Sequence, residues 1–370
     1  MINIKEFFQK NNNETFKKYI IILLIIYFLH HFSLWVLTIH SKDLTYQNAL
    51  SNWDAAWYNS IINDGYNEKS IAFYPLYPFI IKVISILLPF QIPAQFIGTV
   101  FSSILFIIFN IFILKVINNR ENHPKWLIPQ TKYGYFFFLF APSSYIFHSS
   151  HTESLYLLLS FLAFYYTNKN WILASALAGL CALTKNQGIF LSIAIAWMII
   201  NSQEKISDKI KKFILSGLIS FSFYSIFLIY QYISFSNPFA FLDAQKHFSS
   251  LTLSFSGYFK SFFEIIKFKE LSRFSIYESI YFHILFILNF LLFKKSKPVF
   301  FYSLFCILIT PSVFSLMNAF RYTIFIFPLL FTVGDFLSKR NIIFLILLTI
   351  FLIYLNHQMT RNYVLSRWSY

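Results

Sequence analysis

Hydrophobic residues fall in long runs along this chain, separated by short polar or basic breaks. At about 1.5 Å of rise per helical residue, roughly 20 apolar residues cross a hydrocarbon layer about 30 Å thick. The runs at 19–37, 95–116, 133–147, 155–166, 171–184, 188–200, 213–235, 280–293, 299–316, 322–337 and 342–355 predict an all-α polytopic bundle of eleven crossings. Those flanking Lys185-Asn186-Gln187 are short enough to be broken or tilted helices. The run at 79–90, interrupted by Lys82 and closed by Pro89, is short for a crossing and predicts an interfacial or re-entrant helix instead. No fixed-period repeat is evident, so the chain reads as one integral-membrane domain over 1–370.

Two polar regions interrupt the apolar pattern at length, a first loop at 41–94 and a second at 236–278. The first contains 52–78, the only long non-spanning stretch in the first half, with Asp54, Trp53 and Trp57, the Gly65 stop and the exit Phe73-Tyr74-Pro75-Leu76-Tyr77-Pro78. A spacing of four puts Trp53, Trp57 and Ile61 on one helical stripe and Asp54 with Tyr58 on the next. The expected arrangement is an interfacial helix with its tryptophan stripe in lipid and its carboxylate facing a polar cavity.

Composition agrees with the pattern. Of 370 residues, 57% are hydrophobic, 22% aromatic and 12% charged, which excludes an ordinary soluble domain. The net charge of +15 does not point to nucleic acid, because the cations lie between apolar runs rather than on one polar face. With the amino terminus cytoplasmic, the cytoplasmic segments hold a net +12 and the opposite side +3. A full crossing at 79–90 would invert every later loop, against the positive-inside bias. Cys181 and Cys306 each sit inside an apolar run, which argues against a disulfide or thiolate metal site. The run at 19–37 is too long for a signal-peptide core and reads as an uncleaved first span.

This topology brings Asp54, Glu153, Lys185 and Arg321 to one extracytoplasmic face. Two carboxylates and two cations there suit a site that deprotonates a hydroxyl and holds a phosphate. Each has a plainer reading. Ser51-x-x-Asp54 and Ser150-x-x-Glu153 fit capping boxes, Lys185 can snorkel and Arg321 can anchor a helix end. His148 and His151 read as ligands or as members of a polar turn, and Trp53 with Trp57 as an interfacial anchor or a sugar platform. The stretch from Asp243 to His247 reads as an acceptor contact or a solvated loop.

The segments WDAAWYNSIINDGY and AFYPLYP, then HTESLYLLLSFLAFYY, ALAGLCALTKNQGIFL and AFRYTIFIFPLL, resemble in order the GPI mannosyltransferase 2 family and its prokaryotic relatives, integral-membrane glycosyltransferases of the GT-C superfamily. The first is the most specific and the last the least. The resemblance implies transfer of a sugar, typically mannose, from a polyprenyl-phosphate donor to a lipid or glycan acceptor on the extracytoplasmic side of a plasma membrane or, in a eukaryote, of the ER membrane. It implies Asp54 as catalytic base, Glu153 as the second acidic position, helping to orient the acceptor or hold a metal, and Lys185 with Arg321 as ligands of the donor phosphate. Trp53, Trp57, Tyr58, Tyr74, His151, Asn186 and Tyr322 are the expected pocket residues. Lys185 departs from relatives that often carry arginine there, and it binds phosphate as a point charge where Arg can fork. If a divalent metal takes part, Asp54 and Glu153 are its candidate ligands. The rival reading is a transporter or lipid flippase, since broken spans with buried charges describe those too; against it stand the missing inverted repeats and the placement of the acids at one face.

Overall fold

The computed structural model describes residues 13–42, 44–202, 205–248, 273–314 and 318–367. Every regular element among them is helical. In chain order these are α1 (Asn13–His40), α2 (Tyr46–Leu50), α3 (Asp54–Asp64), α4 (Leu76–Leu87), α5 (Ala94–Asn118), α6 (Lys132–Leu139), α7 (Glu153–Tyr166), α8 (Trp171–Ala182), α9 (Gln187–Ile200), α10 (Ile206–Phe235), α11 (Ala240–Gln245), α12 (Arg273–Leu288), α13 (Phe290–Phe293), α14 (Lys297–Phe314), α15 (Ala319–Ile324), α16 (Phe327–Leu337) and α17 (Ile342–Val364).

Five stretches among the described residues are long and apolar enough to cross a membrane: α1 (Asn13–His40), α5 (Ala94–Asn118), α10 (Ile206–Phe235), Ile276–Phe293, which takes in most of α12 and all of α13, and α17 (Ile342–Val364). Their apolar residues point outward as well as inward. On α1, Leu29 is 62% and Phe32 68% exposed, and Ile21, Ile25 and Leu37 are exposed too. Such a surface is disfavoured in water and suits lipid, where helices associate by close packing rather than by hydrophobic burial. The interior is packed with aromatic rings. Phe106 stacks on Phe147 at 4.7 Å between centroids, and Phe109 meets Phe138, Phe161 and Phe327 within 6 Å.

Local chemistry explains where the helices stop. Thr131 caps α6, its hydroxyl accepting from Gly134 N at 3.0 Å, and Asn170 caps α8 through Leu173 N at 3.1 Å. The predicted run at 133–147 is not one helix. It breaks after Leu139, and the chain passes Pro142 and the left-handed Ser143 (φ 65°) into a 3₁₀ turn, Ser144–His148. Proline has no N–H to continue the ladder and its ring crowds the preceding turn. This irregular backbone is buried throughout, as it must be where no water reaches it. The run at 322–337 is likewise two pieces, α15 and α16, with Pro328 in the first turn of the second. Between α8 and α9 the chain doubles back at Leu183–Asn186. Gly188 fits there because a Cβ would collide with the backbone of Cys181 and Ala182.

Three further expectations change. The Trp53, Trp57 and Ile61 stripe packs against the protein: Trp57 stacks on Phe73 at 5.8 Å, Ile61 is buried, and Trp53 Nε1 donates to Arg367 O at 3.2 Å. The second loop ends earlier than expected, because α12 already runs through Glu278, which is fully buried. Residues 249–272 of that loop lie outside the described residues. The last helix continues to Val364, well past position 355. The expectation for 79–90 meets α4, a 12-residue helix burying Tyr77 and Ile81 and exposing Phe79, Ile86 and Leu87. At about 1.5 Å per residue it is far shorter than a bilayer core.

Candidate functional site

Four helix ends meet in one place. Asp54 is the first residue of α3, Glu153 the first of α7, Lys185 lies between α8 and α9, and Arg321 is in α15. Their side chains form a continuous ion chain. Asp54 Oδ2 lies 2.6 Å from Arg321 Nη1, Arg321 Nε donates to Glu153 Oε1 at 2.7 Å, and Lys185 Nζ donates to the same oxygen at 2.9 Å.

Burial along the chain is uneven, and this decides what each member can do. Side-chain exposure is 0% at Glu153, 4% at Arg321, 9% at Lys185 and 28% at Asp54. Glu153 is held by both cations and is sealed, whereas Asp54 is held by one and opens to the exterior. Removing one partner of a buried ion pair costs about 3–5 kcal/mol, because the other charge is left unpaired in a low dielectric. Lys185 also faces the rings of Tyr322 at 5.6 Å and Phe325 at 5.4 Å, and Arg321 lies 6.0 Å from Tyr322.

The backbone that presents Asp54 is strained. Trp53 takes φ 55° and ψ −125°, a region a bulky side chain rarely adopts, at a cost of about 1–3 kcal/mol. The carboxy-terminal end of α17 pins this turn. Asn52 Nδ2 donates to Tyr363 O at 2.6 Å, Ser366 Oγ donates to Asn52 Oδ1 at 2.5 Å, and Trp53 Nε1 reaches Arg367 O. Sequence reading missed this clamp, because nothing local in 363–367 signals a partner some 300 residues away.

The expected pocket residues divide. Tyr58 is buried beside the ion chain, edge-on to Phe73 and Tyr77 at 5.4 and 5.3 Å, within electrostatic reach of Asp54, Arg321 and Glu153. His151 is buried, bonded to Ser149 Oγ at 2.9 Å and edge-on to Tyr363 at 5.6 Å. Burial, with Arg321 adding to it, pushes its imidazole down to about 3, so it is neutral at physiological pH. Tyr322 forms a wall under the two cations. Asn186 is half-buried beside Lys185 at the start of α9. Tyr74 lies elsewhere, in a small apolar cluster with Phe227 at 5.6 Å and Phe241 at 6.1 Å. Trp57 belongs to an aromatic group with Phe73 and Phe248.

Two polar residues were overlooked. Glu278 Oε1 accepts from Asn318 N at 3.0 Å, just before α15, while its Oε2 has no partner. Gln187, two residues past Lys185, is buried with neither amide atom bonded. From the sequence, Glu278 falls in the second polar loop at 236–278, where an acid carries no signal; the structure puts it on α12. The stretch from Asp243 to His247 borders a separate cavity of about 290 Å³, lined also by Glu68 and Asn237 and by no member of the ion chain. Asp243 itself is paired with Lys246 at 2.6 Å.

The carboxylates of Asp54 and Glu153 do not suit a shared metal ion, because Arg321 is bonded to both where such an ion would sit. Among the described residues no three His, Cys, Asp or Glu side chains are grouped to hold one. His148 belongs to a different buried group, its ring 4.6 Å from that of His31 and its Nδ1 3.3 Å from Tyr27 Oη. Set against protein-family models, curated proteins and solved structures, the chain matches none.

Proposed function

We propose that this chain is an integral-membrane glycosyltransferase that moves a sugar, mannose in the first instance, from a polyprenyl-phosphate carrier to a hydroxyl of a lipid or glycan acceptor on the extracytoplasmic side, with its amino terminus in the cytosol. The observation that carries the reading is the graded ion chain. It offers one accessible carboxylate, Asp54, next to two deeply buried cations, Arg321 and Lys185, anchored by the sealed Glu153.

That combination matches what the reaction requires. The acceptor oxygen attacks the anomeric carbon while Asp54 takes its proton, which needs the carboxylate within about 3 Å of that hydroxyl. The bond from the anomeric carbon to the phosphate oxygen breaks with its electron pair leaving on the phosphate. Arg321 and Lys185 stabilise this charge in a desolvated setting, where each contact is stronger than in water. Glu153 positions both cations rather than meeting the acceptor, since it has no exposed surface. One displacement inverts the anomeric centre.

The test is to reconstitute the chain in liposomes with a polyprenyl-phosphate sugar and a lipid extract from its host. Expected are release of polyprenyl phosphate and a product whose anomeric configuration is opposite to the donor's. Retention of configuration, or no release with any polyprenyl-phosphate sugar, contradicts the reading.

A further inference from the structure

The ion chain has a consequence for the order of events. Asp54 is bonded to the same guanidinium that the proposed reaction uses to hold phosphate, at 2.6 Å through Nη1. While the two are bonded, Asp54 Oδ2 is turned to Arg321 rather than to an acceptor hydroxyl, and Nη1 is turned to Asp54 rather than to a phosphate. Resting on the reading above, we propose that Asp54 occupies the phosphate position of Arg321 until a lipid-linked phosphate displaces it, so that donor binding is what frees the base.

The exposures identify which acid yields. Glu153 is bonded to Arg321 Nε and Lys185 Nζ and has no exposed surface, so releasing it would strand a bare carboxylate in the interior. Asp54 makes one ion pair, to Arg321, and is 28% exposed, so on release it is met by water or by the acceptor hydroxyl. A phosphate is the anion best suited to exchange for it. It is planar-fork compatible with the guanidinium and carries negative charge that replaces the one lost from Nη1. The exchange keeps Arg321 paired throughout and moves Asp54 toward the exterior, the side from which a hydroxyl arrives. Trp53, with its positive φ, is the joint next to the residue that moves.

Three consequences separate this from a fixed pocket. Donor binds before acceptor, giving ordered kinetics. Removing the Asp54 charge abolishes turnover yet tightens phosphate binding, because the competitor is gone. Neutralising Lys185 weakens phosphate binding instead.

The experiment titrates farnesyl phosphate, and separately inorganic phosphate, against the full chain in nanodiscs as wild type, Asp54→Asn, Asp54→Ala and Lys185→Met. Expected is binding roughly two- to tenfold tighter for both Asp54 variants than for wild type, because the phosphate no longer has to displace a partly exposed carboxylate from Arg321. Lys185→Met is expected to bind more weakly. A gain confined to farnesyl phosphate assigns the site to a lipid phosphate, and an equal gain for inorganic phosphate assigns it to the phosphate group alone; both support the exchange. Equal or weaker binding by both Asp54 variants overturns it. Turnover of a polyprenyl-phosphate sugar by wild type, measured in parallel, tells the two failures apart. Turnover without a gain in the Asp54 variants leaves the glycosyltransferase reading and removes the exchange, whereas a gain without turnover leaves a phosphate-gated site and removes the transferase.

Discussion

Arg321 Nε donates to Glu153 Oε1 at 2.7 Å although 168 residues of chain separate the two. The bond joins the start of α7 to the short helix α15, and Lys185 adds the hairpin between α8 and α9 to the same oxygen. The buried carboxylate therefore acts as the hub that sets where both cations stand.

Glu153→Gln keeps the shape but leaves two cations facing a neutral amide in the interior. We expect a loss of about 3–5 kcal/mol of stability and little remaining transfer. Thermal unfolding in detergent, read beside turnover, checks both. A variant as stable and active as wild type would show that Glu153 is not the hub.

The clamp on the Trp53 turn gives a different signature. Asn52→Ala removes the bonds to Tyr363 O and from Ser366 Oγ, neither of which touches the ion chain. Misplacing a reacting group by about 1 Å can cost on the order of 100-fold in rate. The expected result is a fall in kcat of about 10- to 100-fold with donor KM little changed, and a milder fall for Ser366→Ala. Steady-state kinetics on the two variants is the measurement.

Sidedness is testable directly. Cys181 and Cys306 are buried, so a single introduced cysteine reports its own surroundings. Glu68 and Lys297 are exposed. We expect Glu68→Cys to react with an impermeant maleimide in intact cells and Lys297→Cys to react only after permeabilisation. The reverse pattern would put the first loop in the cytosol.

His151 sets an acid limit. Its folded-state pKa of about 3 lies below the ordinary value near 6.5, so the unfolded chain binds the extra proton between them. Its contribution to stability is complete above about pH 6.5 and is lost as the pH falls toward 3. The unfolding midpoint of wild type should drop between pH 7 and 5 by more than that of His151→Gln. An equal drop would show that His151 is not buried neutral.

Much of this was legible in the residues, for reasons that can be named. The long apolar runs gave α1, α5, α10 and α17 because a spanning helix satisfies its own backbone and needs only apolar side chains. The two false continuous helices, at 133–147 and 322–337, share one cause: hydropathy is blind to Pro142 and Pro328, which break the ladder without lowering apolarity. Asp54, Glu153, Lys185 and Arg321 stood out because charges are rare in such a chain and an unpaired one there is costly, so they find one another. The packing of Tyr74 on Phe227 was not legible, because an aromatic residue beside the acidic loop looks the same in sequence whatever it packs on. The Asn52 clamp and Glu278 escaped notice because their partners, Tyr363 O and Asn318 N, are backbone groups, which any residue carries.

The central claim is that Asp54, the accessible end of the ion chain, is the base for transfer from a lipid-linked phosphate. Turnover of a polyprenyl-phosphate sugar by purified Asp54→Asn, at saturating donor and beside wild type, tests it most directly. The account predicts a rate lower by about 100- to 10,000-fold, the range general-base removal produces, in a protein that still unfolds cooperatively. A rate within a few fold of wild type would contradict it.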